Sequence, residues 1–503
     1  MDRNDLHREP NDDGPLDPGF AEAVHCADCA RSNSADRELE PVDHMPIPAE
    51  AVNGFEDGVP RVTRHSRRNF LRNGAIGMAA VYGASKIDWT RAFEAAKAEA
   101  AVPGSVLVCL FLNGGIDGLQ TLVPISGADF GHYNDARPTV ARSLGASAAG
   151  QVGTTEVPGT GGAFGWANVG VSGAGNNGQT VGFDTLWGDG TGGAGSDLAV
   201  WPACNFFTGS SRSHFDSRDY WFRGTTRPSV TTGWLGRWLD LYGSRTNPLQ
   251  AISIDSNLSK QIRTSRAPVA AVRSLSGVDF RVSGSRGTNA TALMGSVARV
   301  AAARKNEQLL HARDAYASTV RVANSLGALE GAPAGSGYPQ SSLSTRLQLA
   351  ATLIGAGLGT RIVTVDWGSF DNHSNILNSM DPQLTTLSHA LSAFQADLAA
   401  RGVEQRVITL VFTEFGRRVE QNEDGTDHGT AGPMFAMGSR VRGGLAGAWP
   451  GVAPNQRVRR GDDLKATTDP RQVYAKIMTD WLGGDPRAVI PDAPAALTRP
   501  LLK

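Results

Sequence analysis

The chain has 503 residues, 48 Lys and Arg against 49 Asp and Glu, and a formal net charge of −1. Its 40% hydrophobic content allows a sizeable core and excludes wholesale disorder, while the charge balance excludes a globally basic nucleic-acid binder. Four cysteines are too few for a disulfide scaffold, the 60 glycines follow no collagen period, and no apolar run approaches the ~20 residues of a membrane span.

Residues 1–65 carry 15 acidic and 6 basic side chains, a net −9. Such a stretch buries too little apolar surface to offset its chain entropy, which predicts a disordered acidic extension. Its Cys26-x-x-Cys29 has no second pair and reads as incidental thiols in a tail. Residues 66–100 follow with Ser66-Arg67-Arg68-Asn69-Phe70-Leu71-Arg72, a mildly apolar run from Gly74 to Ser85, and Ala98-Glu99-Ala100. That is the order of a secretory signal with a small-residue cleavage site. The Arg pair with Phe-Leu resembles the twin-arginine signal, which exports proteins already folded. The expected location is therefore periplasmic, cell-surface or secreted, and the translocation machinery of that pathway is an expected partner. Cleavage after Ala100 leaves a mature chain of residues 101–503 with no membrane span, a net charge of +5 and only Cys109 and Cys204.

The mature chain reads as one α/β domain. Val106 to Leu112 is a continuous apolar run, expected as a strand buried on both faces, ending in the glycine turn Asn113-Gly114-Gly115 before Asp117. Residues 145–195 hold 17 glycines in 51 positions and predict a long irregular insertion. A helix is expected from Gly233-Trp234, and a long one from Thr288 to Leu326. The helix Thr345 to Ala356 precedes the strand Arg361 to Val365, which leads to Asp366, Asp371 and His373. The helix Pro382 to Ala400 precedes the strand Arg406 to Phe412, which leads to Glu414. A last helix is expected from Gln472 to Leu482. Alternating helix and apolar strand implies a mainly parallel sheet, whose working groups collect beyond the carboxyl ends of the strands.

Those ends carry chemistry. His373 follows Asp371 by two residues, so in an extended segment both side chains project to one side. Asp427 and His428 adjoin within Gly425-Thr426-Asp427-His428-Gly429. Carboxylates and imidazoles mix hard oxygen with borderline nitrogen donors, as catalytic Zn or Mn sites do. With Asp117 and Glu414 they can hold one or two divalent ions; the same residue types also cap helices and satisfy loop backbones, and spacing does not separate these readings. Ser213, with His214 after it, is expected to start a helix, where an anionic ester would meet backbone N–H groups and the positive dipole end; simple N-capping by Ser213 is equally open. Arg212, Arg223 and Arg417 are candidate phosphate or sulfate contacts.

Leu112-Asn-Gly-Gly-Ile-Asp117, Tyr133 to Thr139, Ser211-Arg-Ser-His-Phe215, Asp371-x-His373, Thr413-Glu-Phe-Gly-Arg-Arg418 and Gly425-Thr-Asp-His-Gly429 resemble, in order, segments of the domain-of-unknown-function family 1501. The resemblance covers most of residues 105–485. Members of that family are typically twin-arginine-exported bacterial proteins, grouped with the alkaline phosphatase-like superfamily of phosphatases, sulfatases and mutases. It implies an α/β/α sandwich with a mainly parallel central sheet and a metal site at the strand ends. By position, Asp117, Asp371, His373, Glu414, Asp427 and His428 resemble the metal set for one or two ions (Zn, Mn or Ca), and Ser213 the nucleophile with His214 beside it. Glu414 stands where the superfamily more often has an Asp-His pair, and the segment required for a formylglycine sulfatase is absent. The expected function is an exported metal-dependent hydrolase of phosphate or sulfate esters, acting on an anionic ester or polymer. The alternative is a non-catalytic exported or cell-surface binding protein that keeps the fold.

Overall fold

In the computed structural model, the described residues are 104–142, 154–167, 180–193, 195–245, 247–275, 329–332, 334–458 and 462–503, together with 81–82, 173–174 and 326. The acidic extension, most of the expected signal segment and all but the last residue of the expected helix Thr288 to Leu326 lie outside them.

The main sheet has nine strands: β1 (Val81–Tyr82), β2 (Val106–Leu112), β3 (Leu198–Cys204), β4 (Ala251–Ser253), β5 (Val269–Ala271), β6 (Ile362–Trp367), β7 (Val407–Thr413), β8 (Gly432–Met437) and β9 (Gly444–Leu445). Their spatial order is β1-β5-β4-β6-β2-β7-β8-β3-β9. The neighbours β5, β4, β6, β2 and β7 run parallel, whereas β8 pairs antiparallel with both β7 and β3. The fold is thus α/β on a mixed, mostly parallel sheet.

The central strand shows why. Every residue of β2 is buried, and its side chains divide by parity between two cores. Val106, Val108, Leu110 and Leu112 join Leu343, Leu347 and Ile354 of helix α4 (Ser342–Gly355) and Met380, Leu384, Leu391 and Phe394 of α5 (Ile376–Ala400). Leu107, Cys109 and Phe111 join Trp221 and Phe222 of α2 (His214–Arg223), Trp234, Leu235 and Trp238 of α3 (Trp234–Tyr242), and Val473 and Tyr474 of α6 (Pro470–Ile477). A short helix α1 (Gly118–Thr121) follows the β2 turn. With helices on both faces, each buried Leu or Phe contributes about 1.5–3 kcal/mol, and no face of β2 is left polar.

Three expectations shift. Helix α5 begins six residues before Pro382, because the 422–425 loop holds its start: Asp424 accepts from the backbone N–H of Asn375 through Oδ1 and of Ile376 through its carbonyl. The last expected helix divides into α6 and a π-helical turn, Met478–Leu482. The glycine-rich insertion is not irregular throughout: Phe164–Ala167 is the middle strand of a three-stranded sheet, paired with Leu122–Pro124 on one side and Thr154–Glu156 on the other. Buried aromatics account for this, since Trp166 stacks on Phe183 and meets Trp187 edge-on. No helix among the described residues is long and apolar enough to cross a membrane.

Candidate metal centre

Four chain segments meet beyond the carboxyl ends of β2, β6 and β7. The turn after β2 requires glycine: Gly114 has φ +104°, and a Cβ there would stand 2.6 Å from the backbone nitrogen of Asp371. The close approach lets Gly114 and Gly115 donate their N–H groups to the Glu414 carboxylate at 2.8 and 3.3 Å. Gly425 plays the same part for the 422–429 loop, since a Cβ would come within 2.2 Å of the His373 carbonyl. Arg417, buried, fastens the segments together. Its guanidinium donates to the carbonyls of Gly114, Gly115, Phe370 and Thr426 and to Asp371 Oδ1.

At the centre lie His214, Asp371 and His428, whose potential ligand atoms all fall within 4.8 Å of one another. His214 Nε2 is 3.3 Å from Asp371 Oδ2, off the hydrogen-bond line, and is buried without a hydrogen-bond partner. His428 Nε2 is 3.0 Å from Asp371 Oδ1. The other ring nitrogens are tied back. His214 Nδ1 lies 2.8 Å from Glu414 Oε1, and His428 Nδ1 lies 2.9 Å from the Arg212 carbonyl oxygen. Both of those oxygens can only accept, so both Nδ1 atoms carry protons and both Nε2 atoms face Asp371. This is the arrangement that fixes metal-ligating imidazoles.

The carboxylates set the charge of the surrounding imidazoles. Burial alone would lower the His214 pKa, but the carboxylates of Asp371 and Glu414 override it and raise it to about 9. Burial would raise Asp371, yet the adjoining His214, His373 and His428 rings and the Arg417 charge hold it far below the usual carboxylate range. Burial pushes His428 down, helped by the Arg417 and His214 charges and opposed by the nearby Asp371 carboxylate, so this ring stays neutral. A proton on His214 is therefore what a divalent ion would displace. Two imidazoles and a carboxylate, each with a bonded partner behind it, fit a zinc-type ion that keeps an open position.

The remaining candidates divide. His373 stands beside the trio, its Nε2 3.0 Å from both Asp371 Oδ1 and His428 Nε2, with Nδ1 against Asp427 Oδ1 at 3.2 Å. Bonds to Asp371 and Asp427 raise its pKa to about 9. Glu414 orients His214 and is absent from the trio, and Asp427 orients His373 in the same way. Asp117 is turned inward: one oxygen caps α1 through the N–H groups of Leu119 and Gln120, and the other meets Arg137 at 2.9 Å and the Thr426 hydroxyl. Ser213 is the residue before α2, and its side chain makes no capping bond, so the capping reading does not describe its hydroxyl. Arg212 adjoins the site through its backbone and a 3.4 Å contact from Nη1 to the His428 carbonyl. Arg223 sits at the opposite end of α2, roughly 15 Å along the axis, where it donates to the carbonyls of Asp219, Arg227, Pro228 and Val230. Thr426, quoted above only as part of Gly425-Thr426-Asp427-His428-Gly429, donates to Asp117, and Asn422, outside every motif, donates to Asp427 Oδ1.

The family model described as "Protein of unknown function (DUF1501)" matches residues 211–482, which include His214, Asp371, His373, Glu414, Asp427 and His428. Comparisons with curated proteins and with solved structures found no match.

Proposed function

We propose that this chain, which belongs to the DUF1501 family, is a metal-dependent hydrolase of phosphate or sulfate esters on an alkaline phosphatase-like fold, exported through the twin-arginine pathway. The observation that carries the reading is the trio His214, Asp371 and His428, with their Nδ1 partners set behind them. A divalent ion held there, Zn, Mn or Ca, would supply Lewis-acid stabilisation of oxyanion charge. Glu414 and the Arg212 carbonyl keep the two imidazoles aimed at that point. Ser213 offers a hydroxyl not used in capping at the start of a ten-residue helix, where backbone N–H groups and the dipole favour an anionic ester. That hydroxyl is the candidate nucleophile. His373, with about a third of its side chain exposed and its charge supported by Asp371 and Asp427, holds a proton beside the site. The arginine-rich signal segment supports export, and the +5 mature chain suits an anionic substrate.

A second reading, a non-catalytic exported binding protein, is favoured by one observation. Asp117, Arg417 and Arg223 are all occupied by internal bonds, which leaves few groups for a phosphoryl or sulfuryl oxygen. Assay of p-nitrophenyl phosphate, bis(p-nitrophenyl) phosphate and p-nitrophenyl sulfate with added Zn, Mn or Ca separates the two. The hydrolase reading expects turnover of at least one ester that Asp371→Ala abolishes. Turnover unchanged in that variant, or none with any ester and ion, contradicts it.

A further inference from the structure

One arginine beside the metal centre is not spent on the fold. Arg218 follows His214 by four residues on α2, so the two side chains share a helix face about 6 Å apart along the axis. Helical side chains lean back over the preceding turn, and this one does: its guanidinium carbon stands 5.8 Å from the centre of the Phe215 ring, next to His214. The guanidinium also lies over the strand ends. Burial raises the pKa of Asp366 at the end of β6, and the Arg218 charge is the foremost influence against that rise. Arg218 is partly buried, yet among the described residues it makes no hydrogen bond and no salt bridge. Arg417 and Arg223, by contrast, give their N–H groups to backbone carbonyls.

A planar guanidinium with its donors unmatched suits an oxyanion, which it takes two oxygens at a time. On the same helix face, His214 Nε2 is buried without a hydrogen-bond partner and faces Asp371, where an ion would be held. An oxyanion lying between that point and Arg218 would give one oxygen to the ion and two to the guanidinium. Phosphate and sulfate monoesters carry three terminal oxygens, whereas diesters carry two.

We propose that Arg218 binds the terminal oxyanion of the ligand and restricts the site to monoesters. The metal side of this grip rests on the hydrolase reading, whereas the Arg218 contact does not need turnover.

The test is calorimetric titration of the full, zinc-supplied chain with sodium phosphate, sodium sulfate and dimethyl phosphate. The expected result is saturable binding of phosphate or sulfate, about ten-fold or more tighter than dimethyl phosphate. Arg218→Met and Arg218→Gln, which remove the charge and keep most of the side chain, should each weaken that binding about ten-fold and erase the preference; Arg218→Lys should restore part of it. Thermal melting shows which variants remain folded, and the preference of wild type is read without any variant. The proposal is overturned if wild type binds neither phosphate nor sulfate, or binds dimethyl phosphate equally well. It is also overturned by unchanged binding in a folded Met or Gln variant. Recovery of phosphate affinity when Arg218→Met is combined with Asp366→Asn would reduce Arg218 to a counter-charge and would overturn it too. Turnover of p-nitrophenyl phosphate is measured separately. Phosphate binding that needs Arg218 but comes without turnover would remove the hydrolase reading and leave this one standing; turnover with phosphate binding indifferent to Arg218 would do the reverse.

Discussion

Glu414 and Asp371 divide the work of one site. Glu414, almost fully buried, takes two backbone N–H groups and the Nδ1 proton of His214, so its charge is fixed before any ligand arrives. Asp371 faces three imidazoles and one guanidinium. Replacing Glu414 by Gln keeps the shape and weakens the hold on the His214 tautomer. Metal affinity should fall about 10–100-fold, read by competition with a chromogenic chelator, while the circular dichroism spectrum stays unchanged. Asp366 gives a separate pH signature. Burial raises its pKa to about 6; Arg218 and Arg346 oppose the rise, and Asp255 and Glu414 add to it. Unfolded, the group titrates near 3.8. Wild type is therefore unpenalised below that value, loses stability as pH rises towards 6, and is constant above it. Asp366→Asn has no such loss. Its stability relative to wild type should climb between pH 4 and 6 and plateau at roughly 1–3 kcal/mol, measured by urea unfolding. A flat difference across that range would show that Asp366 is not held protonated.

At the scale of elements, the site depends on loops that glycine allows to touch. Gly114→Ala places a methyl group against the Asp371 backbone at a left-handed φ. The strain should cost about 1–3 kcal/mol, and metal affinity should fall with stability because the moved segment carries Asp371. Melting temperature and metal titration on one preparation test the coupling; lost stability with unaltered metal affinity would contradict it. These loops also mark how far the sequence could be read. Val106 to Leu112, Arg361 to Val365 and Arg406 to Phe412 were recognisable as strands because burial on both faces leaves an unbroken apolar run, and their ends pointed to Asp371, His373 and Glu414, while His428 stood out from the Asp427-His428 pair in its own loop. The start of α5 was not recognisable, because a contact between Asn375 and Asp424, 49 residues on, sets it and Pro382 imitates a helix start. The antiparallel β8 was hidden for a similar reason: Gly432–Met437 has no local feature that fixes its direction. Asp117 looked like a ligand from its place after the first strand, and only the folded Arg137 and Thr426 show its carboxylate engaged elsewhere.

For the whole molecule, the sheet organises function by geometry. Parallel strands β2, β6 and β7 end together, so residues separated by up to about 300 positions in sequence bond directly, as Gly114 and Glu414 do. The charge gradient has the same logic: the acidic and arginine-rich leading segments are distinct from a mildly basic α/β body that carries the site. Elemental analysis of the purified chain after dialysis against Zn, Mn or Ca, with Asp371→Ala and His428→Ala in parallel, bears most directly on the metal centre. One bound ion per wild-type chain, lost in both variants, is the predicted result. No bound ion in wild type, or equal metal content in all three proteins, would contradict a centre built on His214, Asp371 and His428.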